Sequence, residues 1–160
     1  MQLKMQTDYI IRILLYLASS RGLISTQEMS DQLGIKRSYL PKMLNLLRKE
    51  GLVVSETGVN GGYRIAKPPA SITLLDVMRL SEDSVKINRC LEEDRFCSRN
   101  AVGHCEVHAV YAGFQKTAEW YFGSITIADL LEKNAAAKIQ ARHIRELKKH
   151  IDAAGSARQE

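Results

Sequence analysis

The sequence is poor in tryptophan, proline and cysteine, with one, three and three of them among 160 residues. Three thiols, all between positions 90 and 105, make a poor disulfide framework, which argues against a small secreted scaffold held by cross-links. Long apolar runs are missing too. The best stretch, residues 9–18, is interrupted by Arg12, whereas a bilayer crossing needs roughly 18 to 20 apolar residues. No membrane span is expected. The opening Met1-Gln-Leu-Lys has no basic start leading into an apolar stretch, so no secretory leader is read and a cytoplasmic location is expected.

What is present fits a folded unit with a real core: 45% of residues are hydrophobic and 26% charged. The net charge of +5 is unevenly placed. Up to Lys67 there are ten basic residues against five acidic, while residues 68–160 carry thirteen of each. All the excess positive charge therefore sits in the first segment, which points to an anionic partner for it. No phosphate loop, paired acid and base, or nucleophile with an orienting group is evident, so an enzyme is not expected.

Apolar positions Ile10, Leu14, Leu17 and Ala18 recur at helical spacing and predict a first helix over about residues 5–19. Ser25-Thr26-Gln27-Glu28 has capping-box spacing and predicts a second helix to about Leu33. Gly34 permits a tight turn into a third helix with Leu40, Leu44 and Leu47 on one face. Its N-cap is placed at Ser38, with Pro41 in the first turn. Leu52-Val53-Val54 and Tyr63-Arg64-Ile65 read as two strands around a tip from Glu56 to Gly62, where Asn-Gly-Gly supplies positive φ angles. A short helix around Ile72–Met78 and a polar loop from Ser81 to Gly103 follow. A long amphipathic helix is expected from about His104 to Phe122, with Val107, Val110, Tyr111, Phe114, Ala118 and Tyr121 in one stripe. Residues 125–131 read as a capped turn of helix. A last helix is expected over about residues 134–151, and residues 153–160 as a disordered tail.

Helix, helix, glycine turn, helix and glycine-tipped hairpin, all inside the basic segment, spell a winged helix-turn-helix. On its third helix the outward residues are Lys36, Arg37, Ser38, Tyr39, Lys42 and Asn45. Lysine and arginine neutralise phosphates, whereas Arg, Asn and Ser also pair with base edges. Arg37 and Ser38 are accordingly assigned to bases, and Lys36 and Lys42 to phosphates. In the wing, Asn60, Gly61, Gly62, Tyr63 and Arg64 are positioned to enter or flank the minor groove of double-stranded DNA.

The second constellation is Cys90-x6-Cys97-x7-Cys105-x2-His108. Three thiolates and one imidazole suit zinc or an iron–sulfur cluster. The gaps exceed the usual short zinc knuckles and favour a cluster, and the polar Glu92-Glu93-Asp94 stretch makes the order of this loop depend on the metal. Tyr111, Phe114, Trp120, Tyr121 and Phe122 are more aromatic surface than a small monomer core needs, so the long helix is expected to be a homodimer seam. In the last helix Lys138, Arg142, Arg145, Lys148 and Lys149 are expected to form a solvated face.

Together these motifs resemble the Rrf2 family of winged-helix repressors, which includes iron–sulfur sensors of the IscR, NsrR and RirA types. The resemblance covers about residues 1–132. It is carried by Met1-Gln-Leu-Lys with Thr7-Asp8-Tyr9, by Leu33-Gly34-Ile35 with Ser38-Tyr39-Leu40, and by Gly58-x-Asn60-Gly61-Gly62-Tyr63. Ile72-Thr73-Leu74-x-Asp76-Val77 and the three cysteines complete it. The resemblance implies a homodimer joined through the long helix, a palindromic operator in DNA, and a cluster that reports iron–sulfur status, iron, oxygen or nitric oxide. For the fourth ligand two patterns meet. His108 stands like the histidine of the 2Fe–2S IscR type, and Asp8 like the aspartate that the 4Fe–4S NsrR type contributes from the partner subunit. His108 shares one helical turn with Cys105 and is preferred, and the 2Fe–2S form with it. A cluster-free regulator of the same fold, controlled by thiol chemistry or a protein partner, is the alternative.

The expected architecture is mainly α with a small β-wing. Residues 1–67 form the winged helix-turn-helix, residues 68–132 the cluster loop and dimerisation helix, and residues 133–160 a helical extension and tail.

Overall fold

The computed structural model describes the backbone of residues 2–156 and the side chains of residues 2–149. Helix α1 (Met5–Ser19) buries Ile10, Ile13, Leu14 and Leu17 on one face, the 3.6-residue stripe that the sequence predicts. Helix α2 (Thr26–Leu33) starts at Ser25, whose hydroxyl accepts the Glu28 N–H at 3.1 Å. The reciprocal half of the expected capping box does not form. The Glu28 carboxylate instead accepts the Tyr16 hydroxyl at 2.8 Å, tying α2 to α1. Gly34 closes α2 in the left-handed conformation, φ +65°, with its N–H on the Ser30 carbonyl.

Helix α3 (Leu40–Lys49) starts later than expected, because residues 37–39 form a 3-10 turn and the cap position falls to Tyr39 rather than Ser38. Pro41 sits in its first turn, where the missing amide has no intrahelical partner. Leu40, Met43, Leu44 and Leu47 face inward.

Strands β1 (Val53–Glu56) and β2 (Gly62–Ile65) pair antiparallel, with Val53 opposite Ile65 and Glu56 opposite Gly62. Glu56 and Gly62 thus belong to the strands, and the tip is shorter than the sequence reading has it. Tyr63 also exchanges both backbone hydrogen bonds with Ile24, each at 2.9 Å, so the wing is fastened to the start of α2.

Helix α4 (Leu74–Ser81) and helix α6 (Ile127–Leu131) start side by side. Leu74 N–H meets the Ile125 carbonyl at 2.8 Å and Ile127 N–H meets the Ile72 carbonyl at 2.9 Å. Each carries a complete capping box, Thr73 with Asp76 and Thr126 with Asp129. Ile72, Val77 and Ile127 join Ile10, Leu14 and Leu44 in one buried cluster.

Two 3-10 turns, residues 89–91 and 102–104, interrupt the polar segment expected as a plain loop. Helix α5 (Glu106–Gly123) follows, two residues later than expected. Helix α7 (Ala135–Ser156) is longer than predicted, so residues 153–156 are helical rather than tail, and residues 157–160 lie outside the described part. No helix among the described residues is long and apolar enough to cross a membrane.

Candidate functional site

Lys36, Arg37, Ser38, Tyr39, Lys42 and Asn45 are all exposed, as a face that reads DNA requires. The glycine turn and the inward leucines of α3 hold that face outward. Arg37 donates to the Gln27 side chain at 3.0 Å, which orients its guanidinium from α2. Lys42 and Asn45 lie at the other side of the face, along a cavity that also reaches Lys4 and Lys49.

In the wing Asn60 and Arg64 are exposed, and Arg64 pairs with Glu56 at 3.6 Å across the hairpin. Gly62 is buried beneath Ile24, where a Cβ would come within 2.7 Å of the Ile24 carbonyl oxygen. At Gly61 a Cβ would collide with the Glu56 carbonyl. These two glycines therefore answer to the wing's own packing, and Asn60 and Arg64 are left as its exposed polar side chains among the expected contacts.

The cysteine segment is anchored before its first thiol. Gln115, buried on α5, accepts the Ile87 N–H at 2.9 Å and donates to the Val85 carbonyl at 3.1 Å and to Glu119 at 2.9 Å. Lys86 pairs with Glu119 at 2.7 Å. That bond, with Gln115 and Arg79, holds the Glu119 carboxyl below its usual range despite burial.

Beyond this anchor, His108 Nδ1 lies 3.3 Å from Cys90 Sγ, so the first and last members of the predicted ligand set meet. Backbone N–H groups of Ala101 and Arg99 draw the Cys97 thiol below its usual range against opposing desolvation, with Asn100 N–H and the Arg99 charge assisting. That favours the thiolate, the form that binds metals. All three cysteines are partly exposed and free. No three His, Cys, Asp or Glu side chains converge on one point among the described residues, so Cys97 and Cys105 are not gathered with the Cys90–His108 pair. Asp8 is exposed and pairs with Arg12 at 2.6 Å, one helical turn away. As a donor set, three thiols and an imidazole have the chemistry of a soft-metal centre, and of these four only Cys90 and His108 are in contact.

Helix α5 leaves Val107, Val110 and Phe114 more than half exposed. Trp120 and Tyr121 are not free in the same way. His143 of α7 is buried against both rings, at centroid distances of 5.0 and 4.3 Å, and its nitrogens meet the Ser124 hydroxyl and the Ile139 carbonyl. The expected solvated face of α7 also needs correction at Arg142, which donates to the Ser124 carbonyl at 2.7 Å and to Asp129 at 3.1 Å. The apolar side of α7, with Ile139 and His143, is a packing surface that the basic composition of this helix concealed.

Comparison with known proteins decides the family. A family model described as an iron-dependent transcriptional regulator, Rrf2, matches residues 3–133. The chain belongs to the Rrf2 family. A relative from Aquifex aeolicus, assigned by inference as an HTH-type transcriptional regulator, is 34% identical over 124 residues, 77% of this chain and 86% of its own. Among solved structures, IscR of T. potens is similar at 27% identity and TM-score 0.64, covering 82% of this chain and 86% of that one. CymR, the global cysteine regulator of B. subtilis, shares the fold at 22% identity and TM-score 0.62, with 82% and 96% covered. This Rrf2 chain is thus a transcriptional regulator with the winged-helix fold expected of it. The family model stops before α7, which packs on α5 through His143 and on α6 through Arg142.

Proposed function

We propose that this Rrf2 regulator is a homodimeric, DNA-binding repressor whose operator affinity is set by an iron–sulfur cluster, in the 2Fe–2S form, held by Cys90, Cys97, Cys105 and His108. The contact between Cys90 and His108 carries this reading, because it joins the two ends of the ligand series at the start of the exposed α5 face. Such a cluster, when bound, supplies a centre that oxygen, nitric oxide or loss of iron alters.

The chain's own residues do the rest. Lys36 and Lys42 neutralise backbone phosphates, and Arg37, Ser38 and Asn45 address base edges. Asn60 and Arg64 flank the minor groove. Val107, Val110 and Phe114 supply the apolar seam through which a second copy docks. Operator half-sites are read at one fixed spacing, so a change in the segment between residues 90 and 108 that tilts the two α5 helices alters how well both α3 helices dock.

A cluster-free thiol sensor is the second reading, favoured by the thiolate-stabilising surroundings of Cys97. Similarity to CymR, the global cysteine regulator of B. subtilis, also fits it.

One experiment separates the two. Operator duplexes are selected from random DNA with anaerobically prepared protein, and binding is then compared for iron–sulfur-reconstituted, metal-free and peroxide-oxidised samples. The proposal expects reconstitution to change affinity, and expects His108→Ala to lose that change. A response to peroxide in metal-free protein, with none to reconstitution, would replace it with the thiol reading.

A further inference from the structure

The segment that carries the cysteines leaves α4 at Glu82, and Glu82 is bound to the beginning of α1. One oxygen of its carboxylate accepts the Lys4 backbone N–H at 2.8 Å and the Thr7 hydroxyl. Thr7 is wholly buried, and its oxygen in turn accepts the Ser81 hydroxyl at 2.8 Å. The next residue, Asp83, pairs with the Lys4 ammonium at 2.7 Å, and that contact holds its carboxyl below the usual range. The same corner opens onto the DNA-reading helix, because Glu82, Asp83, Lys4, Lys42, Asn45 and Lys49 border one cavity.

Three parts of the molecule therefore meet here: the root of the cysteine segment, the first turn of α1, and the phosphate-facing side of α3. Lys4 and Glu82 lie 78 residues apart in sequence, so chain connectivity alone does not bring them together. A buried hydroxyl that both donates and accepts in this corner fixes its geometry, since leaving either group unpaired costs about 1 to 3 kcal/mol.

We infer that Glu82 is a positioning residue: its bonds to Thr7 and Lys4 are the joint through which the state of the cysteine segment reaches the DNA-binding face. The inference rests on the sensing reading above and names the path that reading requires. Val85, Lys86 and Ile87 tie this chain to Gln115 and Glu119 of α5, so when the segment between residues 90 and 108 tightens or loosens against α5, that tie carries the displacement to the root at Glu82 and Asp83. The first turn of α1 follows through Thr7, and the Lys4 charge is drawn toward or away from the cavity shared with Lys42 and Asn45. Coupling of this kind is measured as the ratio of affinities in the two states of the sensor, with five- to 150-fold being typical.

The test measures that ratio for a selected operator duplex, using metal-free protein and protein reconstituted with iron and sulfide. Thermal melting confirms that each variant is folded. Glu82→Ala removes the acceptor and is expected to bring the ratio to within about two-fold of unity. Glu82→Gln keeps an amide oxygen for Lys4 and Thr7 and is expected to retain the wild-type ratio. Thr7→Val removes the other partner of the same contact and is expected to behave as Glu82→Ala does. An unchanged ratio in Glu82→Ala overturns the joint, and so does equal loss in Glu82→Ala and Glu82→Gln, which would place the effect in charge alone. If wild-type protein itself shows no difference between the two samples, the sensing reading is contradicted and the joint falls with it.

Discussion

Cys90 and His108 are 18 residues apart, yet the thiol and the imidazole Nδ1 stand 3.3 Å from each other. The approach is made by two local devices. Asn88 accepts the Cys90 N–H and starts a 3-10 turn, while α5 starts at Glu106 and turns His108 toward that thiol. Between them runs polar, largely exposed chain with Arg95 and Asn100 at positive φ. The two ends of this stretch meet at Cys90 and His108, while Cys97 and Cys105 do not join them.

The phosphate role of Lys42 is tested by its salt dependence. Lys42→Ala is expected to weaken binding about equally on all duplexes and to flatten the slope of log affinity against log salt by about one unit. Fluorescence anisotropy over a salt series measures both. A slope that does not change removes Lys42 from the phosphate contacts.

Gly62 is expected to be irreplaceable for a structural reason. A Cβ there would press on the Ile24 backbone, so Gly62→Ala forces the wing away from α2 at a cost of about 1 to 3 kcal/mol. Urea unfolding should show that loss. Val59, fully exposed at the tip, is the control, since Val59→Ala is expected to leave stability within about 0.5 kcal/mol of wild type.

Acid should loosen the attachment of α7. Burial raises the Asp129 pKa, but Arg142 and Thr126 outweigh it and hold the carboxyl below its ordinary 3.8. A carboxyl depressed in the folded state contributes stability above its unfolded pKa and loses it as pH falls through the folded value. Melting temperature should therefore drop below about pH 4. Arg142→Gln should lower stability at neutral pH by about 1 to 3 kcal/mol and make the acid decline shallower. Equal acid declines in both proteins would show that the pair contributes nothing to it.

Where the sequence is informative, the information is local. The apolar stripe of α1 places that helix at Met5–Ser19, and the capped turn read over residues 125–131 forms in full as Thr126-x-x-Asp129. Ser25-x-x-Glu28 has the same spacing, but Glu28 is taken by Tyr16 from another helix, a competition that the spacing does not reveal. Ser38 loses the N-cap of α3 to a 3-10 turn ahead of Pro41. Arg142 reads as one of several solvated cations because Asp129, its partner, lies 13 residues away. The site divides in the same manner: the exposed face around Lys42 is legible from helical period, whereas the bond between Lys4 and Glu82 leaves no pattern in the chain.

Metal content tests the central claim most directly. Protein purified without oxygen is analysed for iron, acid-labile sulfide and zinc alongside its visible absorption, with His108→Ala and Asp8→Ala in parallel. The account predicts about two irons and two sulfides per chain with visible bands, altered in His108→Ala and preserved in Asp8→Ala. Colourless protein that takes up neither iron nor sulfide on reconstitution would contradict it.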